Sequence, residues 1–227
     1  MSKREIVIPS SLLYSGNDVK PSLTTYKLGS NIYSSVIGLY ERSEGNEIKV
    51  ITLKGKYYPN VGDRVIGIIT KDSIFSWSVD INSFVEAILP VSFAVKKRKG
   101  EFTGNITKLL TINDVIYAQI IDFDKFNPPI LSLKKKGLGK INSGYLLSIT
   151  PGKIPRLIGK KHSMIKMIKE MLGINIIVGK NGRIVALTDD FNKIKILEEV
   201  IQKIEFEAHV PGLTDRIKNM LESKLSK

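Results

Sequence analysis

Cysteine is absent from the 227 residues. That excludes disulfides, thiolate metal ligands and cysteine nucleophiles. Histidine is scarce too: the two copies, His162 and His209, share no motif with a candidate nucleophile. No Walker loop and no dinucleotide glycine fingerprint is present. No apolar run approaches the roughly 20 residues that span a bilayer. Residues 1–8 are too short and too polar for a signal peptide, and no lipidation motif stands out. Asp122 and Asp124, with Phe123 between them, resemble a metal pair. Alternation puts both on one exposed strand face, where solvation explains them as well. These absences predict a cytoplasmic protein that is not an enzyme, carries no cofactor or metal, and has no membrane partner.

What is present is positive charge, unevenly spread. The formal net charge is +13. Residues 1–58 carry 8 basic and 5 acidic side chains, a net +3. Residues 59–133 carry 8 and 8, a net of zero, and residues 134–227 carry 19 and 9, a net +10. Within 153–183 there are 8 basic residues against one acid, Glu170. Such a concentrated excess attracts polyanions and makes affinity salt-dependent, although a solvated basic face also keeps a protein soluble. Lysine dominates, with 28 copies against 7 arginines. That balance fits thermophilic composition without proving it.

The pattern of turns and runs predicts a multidomain chain of β and α/β parts. A turn residue followed by a β-branched run recurs at Gly29–Gly38, Gly62–Ile69, Asn113–Ile120 and Ser143–Ile149, marking strand starts. Residues 1–58 read as a small β domain, with strands over Ile32–Leu39 and Ile48–Leu53 and no convincing helix. Residues 59–138 hold five strand candidates: Arg64–Thr70, Phe75–Ile81, Ala87–Val91, Val115–Asp122 and Ile130–Leu133. Their spacing suits a five-stranded OB-type barrel. The second alternates cleanly, with Trp77, Val79 and Ile81 on one face and Ser76, Ser78, Asp80 and Asn82 on the other. Residues 139–227 switch to mixed α/β. Tyr145–Ile149, Ile174–Val178 and Arg183–Leu187 are strands. Ile154–Ile158, Ser163–Leu172, a helix capped by Asp189 or Asp190, and Thr214–Lys224 are helices.

Candidate RNA contacts fall into three groups. In the barrel, Phe75, Trp77 and Phe93 are the aromatic candidates for base stacking, although a single Trp in a small domain is more often core. Lys96, Lys97, Arg98 and Lys99 form a basic loop in an otherwise neutral domain, and four adjacent cations need solvent or a polyanion. The third group lies in the α/β segment. Leu157-Ile158-Gly159-Lys160-Lys161-His162, then an amphipathic helix and the strand Ile174–Val178, resembles the core of a KH domain. In that motif a glycine turn lets the backbone approach a sugar-phosphate chain, and the next helix offers its free N–H groups. Arg156, Lys160, Lys161 and Lys166 add charge. His162 stands where the KH pattern has glycine, so its side chain narrows the approach and a positive φ there would be strained. It could instead stack on a base or donate to a phosphate. Gly179-Lys180-Asn181-Gly182 is first of all a hairpin turn. It could also present Lys180 and Arg183, and the backbone at Asn181 and Gly182, to RNA.

The order of modules is itself informative. Tyr58–Gly67 entering the barrel, Trp77–Ser83 and Leu89–Ser92 within it, and Lys153–Lys161 after it resemble the KH-containing RNA-binding cap subunit of the archaeal exosome. That resemblance covers nearly the whole chain. It implies an N-terminal β domain, a barrel of the ribosomal S-one type and a KH domain. It also implies a non-catalytic subunit that shares a cap with other cap subunits on a hexameric ring of phosphorolytic RNases. The N-terminal domain would dock on the ring, the barrels would surround a pore, and the KH domains would lie outside. The cap would capture single-stranded RNA and pass its 3′ end inward for 3′-to-5′ degradation or tailing. Lys96, Lys97 and Arg98 would face the pore. A second cap type carries a zinc ribbon in place of KH, and the absence of cysteine argues against it. Two other readings remain at this stage. One is a transcription or translation factor, which usually carries two KH copies where one is found. The other is a fragment of polynucleotide phosphorylase, where KH precedes the barrel behind large catalytic domains. The binding expected is nanomolar to micromolar, salt-sensitive and weak in base preference.

Overall fold

A computed structural model describes residues 5–22, 24–42, 47–53, 55–94, 109–124, 126–208 and 210–225. The chain forms two compact units, residues 1–55 and 56–227.

The first unit is all β among its described residues. Its strands are β1 (Glu5–Val7), β2 (Leu12–Ser15), β3 (Lys20–Pro21), β4 (Thr25–Leu28), β5 (Asn31–Ser34), β6 (Gly38–Arg42) and β7 (Glu47–Thr52). They make a four-stranded sheet in the order β1-β6-β7-β3 and a three-stranded sheet in the order β2-β5-β4. The run expected to be one strand over Ile32–Leu39 is broken in two. Ser34 donates its hydroxyl to the Val36 carbonyl at 2.7 Å, a local bond that bends the chain between β5 and β6. The core is small: Val19, Ile32 and Ile48, with Leu13, Tyr14 and Tyr40 packed against it. A buried hydroxyl knot supports it, in which the Ser22 N–H donates to Thr25 Oγ1 at 2.7 Å and the Val50 N–H to Thr24 Oγ1 at 3.1 Å. Several large apolar side chains of this unit remain exposed, led by Ile6 at 72% and Leu28 at 68%.

The second unit begins with the barrel: β8 (Arg64–Asp72), β9 (Ser76–Asp80), β10 (Ala87–Pro90), the short helix α1 (Val91–Ala94), β11 (Val115–Asp122), β12 (Ile130–Ser132) and β13 (Gly139–Ile141). The strand order β12-β10-β9-β8-β11, closed by pairing of β11 with β12, is that of a five-stranded barrel. β13 adds a sixth, short strand beside β11, which strand propensity did not reveal. Alternation fills the interior. Trp77, Val79 and Ile81 point inward with Val65, Ile69 and Ile116, all fully buried.

The α/β part follows: β14 (Tyr145–Ser148), α2 (Ile154–Ile158), α3 (Ser163–Leu172), β15 (Asn175–Val178), β16 (Arg183–Leu187), α4 (Phe191–Glu207) and α5 (Leu213–Leu225). Its antiparallel sheet runs β14-β16-β15, so β15 is an edge strand. Apolar residues at helical spacing, among them Ile165, Ile168, Leu197, Val200 and Ile204, pack onto that sheet. Asp190 is the cap of α4, accepting from the Asn192 and Lys193 N–H groups at 3.0 and 3.3 Å.

Candidate nucleic-acid interface

The glycine loop joins α2 to α3. Gly159 has φ +76°, and a Cβ there would lie 2.8 Å from both the backbone N and the Cβ of Met164. Only glycine allows this turn to fold back so tightly. Lys161 (φ 50°) and His162 (φ 65°) then both take the left-handed conformation. The positive φ that was expected to strain His162 is therefore present. Arg156, Lys160, Lys161, His162 and Lys166 are all exposed. Lys166 is partly engaged by Glu170 at 3.7 Å.

Beside this loop lies a cleft of about 680 Å³. Ile158, Ile165 and Ile176 give it apolar surface, and His162 and Lys169 stand at the α3 side. β15 borders it with one backbone edge free of a ladder partner, a row of donors and acceptors able to meet base edges. The opposite wall belongs to the barrel, with Asp63, Arg64 and Tyr117 among its residues. Asp63, the cleft's one acid among the described residues, accepts from the Tyr57 hydroxyl at 2.6 Å and faces Lys180 Nζ at 3.8 Å. Burial, then the charge of Asp63, pushes the Tyr57 phenol above its ordinary range.

The Gly179–Gly182 turn has a different job from the one considered for it. Asn181 is fully buried. Its side-chain oxygen accepts from the Ile66 N–H at 3.1 Å, and its Nδ2 donates to the carbonyls of Ile66 and Ile81 at 2.7 and 2.8 Å. The Asn82 side chain returns a bond to the Asn181 carbonyl at 2.9 Å. Arg183, also buried, donates to the backbone oxygen and the carboxylate of Asp80. Partial burial works to raise the Asp80 carboxyl. The Arg183 guanidinium and the Asn82 N–H outweigh it and hold that carboxyl below the usual carboxylate range. The turn therefore clamps the α/β part onto the barrel. Asn181, Gly182 and Arg183 are corrected as RNA contacts: Asn181 and Arg183 are spent inside this joint, and Gly182 is buried with its carbonyl accepting from the Ile149 N–H at 2.8 Å. Lys180 alone of the four remains exposed beside the cleft.

Comparison with known proteins finds a family model for each of the three modules. Residues 4–54 match the model of the exosome RNA binding protein RRP4 N-terminal domain, residues 56–122 the RRP4 S1 domain, and residues 144–184 the KH domain. The exosome complex component Rrp4 of Thermofilum pendens is 40% identical over 98% of this chain and 94% of its own. The chain belongs to the Rrp4 family. Its relative in Thermococcus kodakarensis is 42% identical over 98% of this chain and 86% of that protein. A crystal structure described as a putative exosome complex RNA-binding protein superposes with a TM-score of 0.68 at 36% identity, covering 76% of this chain and 98% of that one.

For a member of the Rrp4 family, the S1 barrel is where the remaining candidates lie. Phe75 is 79% exposed at the tip between β8 and β9. Its carbonyl accepts from the Val91 N–H at 3.0 Å, which places it at the start of α1. Lys96, Lys97, Arg98 and Lys99 themselves lie outside the described residues. Phe93 is half-buried against the core, and Lys134 Nζ sits 4.6 Å from its ring centroid. Trp77 is corrected. It is fully buried and its Nε1 donates to the Leu110 carbonyl at 3.2 Å, so no base can stack on it. Asp124 is engaged locally, accepting from the Phe126 and Asn127 N–H groups at 2.7 and 2.6 Å. Sequence reasoning missed Arg64 and Tyr117, since nothing local marks an outward barrel residue as the wall of a cleft in the next module. It also missed Lys134, Lys135 and Lys136, three adjacent exposed cations after β12 that the regional charge count contained.

Proposed function

We propose that this chain is a non-catalytic, RNA-binding cap subunit of a cytoplasmic exosome. It captures single-stranded RNA and directs the 3′ end into a ring of phosphorolytic RNase subunits. The observation that carries this reading is the combination, in one compact hydrogen-bonded unit, of an S1 barrel and a KH fold that share a basic-rimmed cleft. An apolar floor for bases and a cationic rim for phosphates suit a single strand and no small substrate. The N-terminal β unit supplies the docking surface. Its exposed Ile6, Ile8, Leu12 and Leu28 have the character of a face that another protein covers. Lys96, Lys97 and Arg98, which lie outside the described residues, are the proposed contacts for RNA entering the pore, and Arg156, Lys160 and Lys161 those that catch it at the periphery. Catalysis belongs to the ring, and other cap subunits share its rim.

Tagging the chain at its C-terminus and purifying it from native extract tests the reading. Two RNase-ring subunits should be recovered in near-equal amounts. Recovery of ribosomal or polymerase subunits without a nuclease would leave RNA binding intact and remove the exosome role.

A further inference from the structure

We infer that the barrel completes the KH cleft as a working wall: Arg64 and Tyr117 contact the same RNA strand that lies against α3 and β15. This rests on the RNA-binding reading above and adds to it two residues from the neighbouring module. Arg64 and Tyr117 lie on adjacent strands, β8 and β11, and both line the cleft. Ile116 and Ala118, flanking Tyr117, are fully buried in the barrel core, so alternation turns Tyr117 outward. Among the described residues, neither the Arg64 guanidinium nor the Tyr117 hydroxyl has a partner within the protein. An arginine and a tyrosine left unengaged at the rim of an apolar cleft are a phosphate donor and a stacking platform.

The wall is also fixed in place. The Lys180 N–H donates to the Arg64 carbonyl at 2.9 Å, so the turn that follows β15 is hydrogen-bonded to the very residue proposed as a contact. Gly179 lets the two backbones meet: a Cβ there would lie 2.8 Å from the Ile66 nitrogen. Charge points to a polyanion as the occupant. Lys180 faces Asp63 across 3.8 Å, which leaves Arg64 and Lys169 without an acid among the described residues. A strand held between α3 and β11 therefore meets both modules at once, and affinity should fall when either wall is altered.

Fluorescence anisotropy with the full chain and a short labelled single-stranded RNA tests this. Arg64→Gln should weaken binding about fivefold to tenfold and lower the slope of log affinity against log salt by about 0.7, the value of one phosphate contact on a single strand. Tyr117→Ala should weaken it at least about fivefold, the lower end of one stacked base. Photocrosslinking of the unmodified protein to 4-thiouridine RNA guards against a misfolded variant, and crosslinks should map to 115–122 as well as to α3. Wild-type affinity in both variants, with crosslinks confined to the KH side, would overturn the inference. A strand that depends on Lys96, Lys97 and Arg98 but on neither cleft residue would overturn it while leaving RNA binding in place. Failure of the wild-type chain to bind RNA at all would remove the functional reading and this one together.

Discussion

His162 shows what a single side chain costs in a tight loop. A left-handed backbone is disfavoured by about 1–2 kcal/mol for a residue with a Cβ. His162 and Lys161 both bear that penalty in succession. Glycine at 162 removes it but loses about 0.5–1 kcal/mol more backbone entropy on folding. His162→Gly should therefore raise stability by about 0.5–1 kcal/mol in urea denaturation. A fall instead would mean that the imidazole makes a native contact worth more than the strain. Trp77 is the opposite case. Alternation along β9 already put it on the inward face with Val79 and Ile81, and the structure keeps it there. Counting it as a stacking residue went beyond that pattern, because an aromatic in a small barrel fills the core before it serves the surface. Trp77→Ala should cost about 4 kcal/mol, seen as a lower urea midpoint, since a large cavity opens and the Leu110 carbonyl loses its donor.

Elements were legible where the signal is local and obscure where it is not. The helices Ile154–Ile158 and Ser163–Leu172 and the strands of the barrel follow from period and punctuation. The turn Gly179–Gly182 was legible as a turn, yet its partners Ile66, Asp80 and Ile81 lie about a hundred positions earlier in the chain. No rule of spacing reaches that far. Asn181→Ala should cost about 3 kcal/mol, because it strands the Ile66 N–H and the Ile81 carbonyl and leaves the Ile66 carbonyl only the long bond from Arg183 at 3.4 Å. The loss should appear as easier separation of the two modules, with faster amide exchange at Ile66. Asp80 gives the joint a pH dependence. Its carboxyl is depressed in the folded state, so its contribution is complete above the unfolded value near 3.9 and is lost as pH falls through the folded value. Asp80→Asn should therefore lower the melting temperature at neutral pH. The gap to wild type should close as pH drops below about 4, and a gap that persists unchanged would show that the Asp80 charge is not what holds Arg183.

At the scale of the whole molecule, most of the net charge and the densest set of exposed aliphatics among the described residues fall on different parts of the sequence. Residues 134–227 hold +10 of the +13 net charge, while residues 1–58 hold only +3. The N-terminal unit instead exposes large aliphatics over a core that holds, among the described residues, four buried hydrophobics, Val19, Ile32, Ile48 and Val50, an imbalance that a partner surface would correct. If RNA capture and ring docking are divided in this way, they can be damaged separately. Ile6→Glu with Leu28→Glu places two carboxylates at exposed positions of a unit whose core they do not enter, so the unit itself should still fold. Co-purification of ring subunits should drop at least tenfold, because a charge buried in an interface without a partner costs several kcal/mol. Affinity for a short single-stranded RNA, set by the barrel and KH cleft, should change less than twofold. Loss of RNA binding alongside the ring would show that these aliphatics support the whole chain and form no separate docking face. Retention of both would move the docking surface elsewhere on the N-terminal unit.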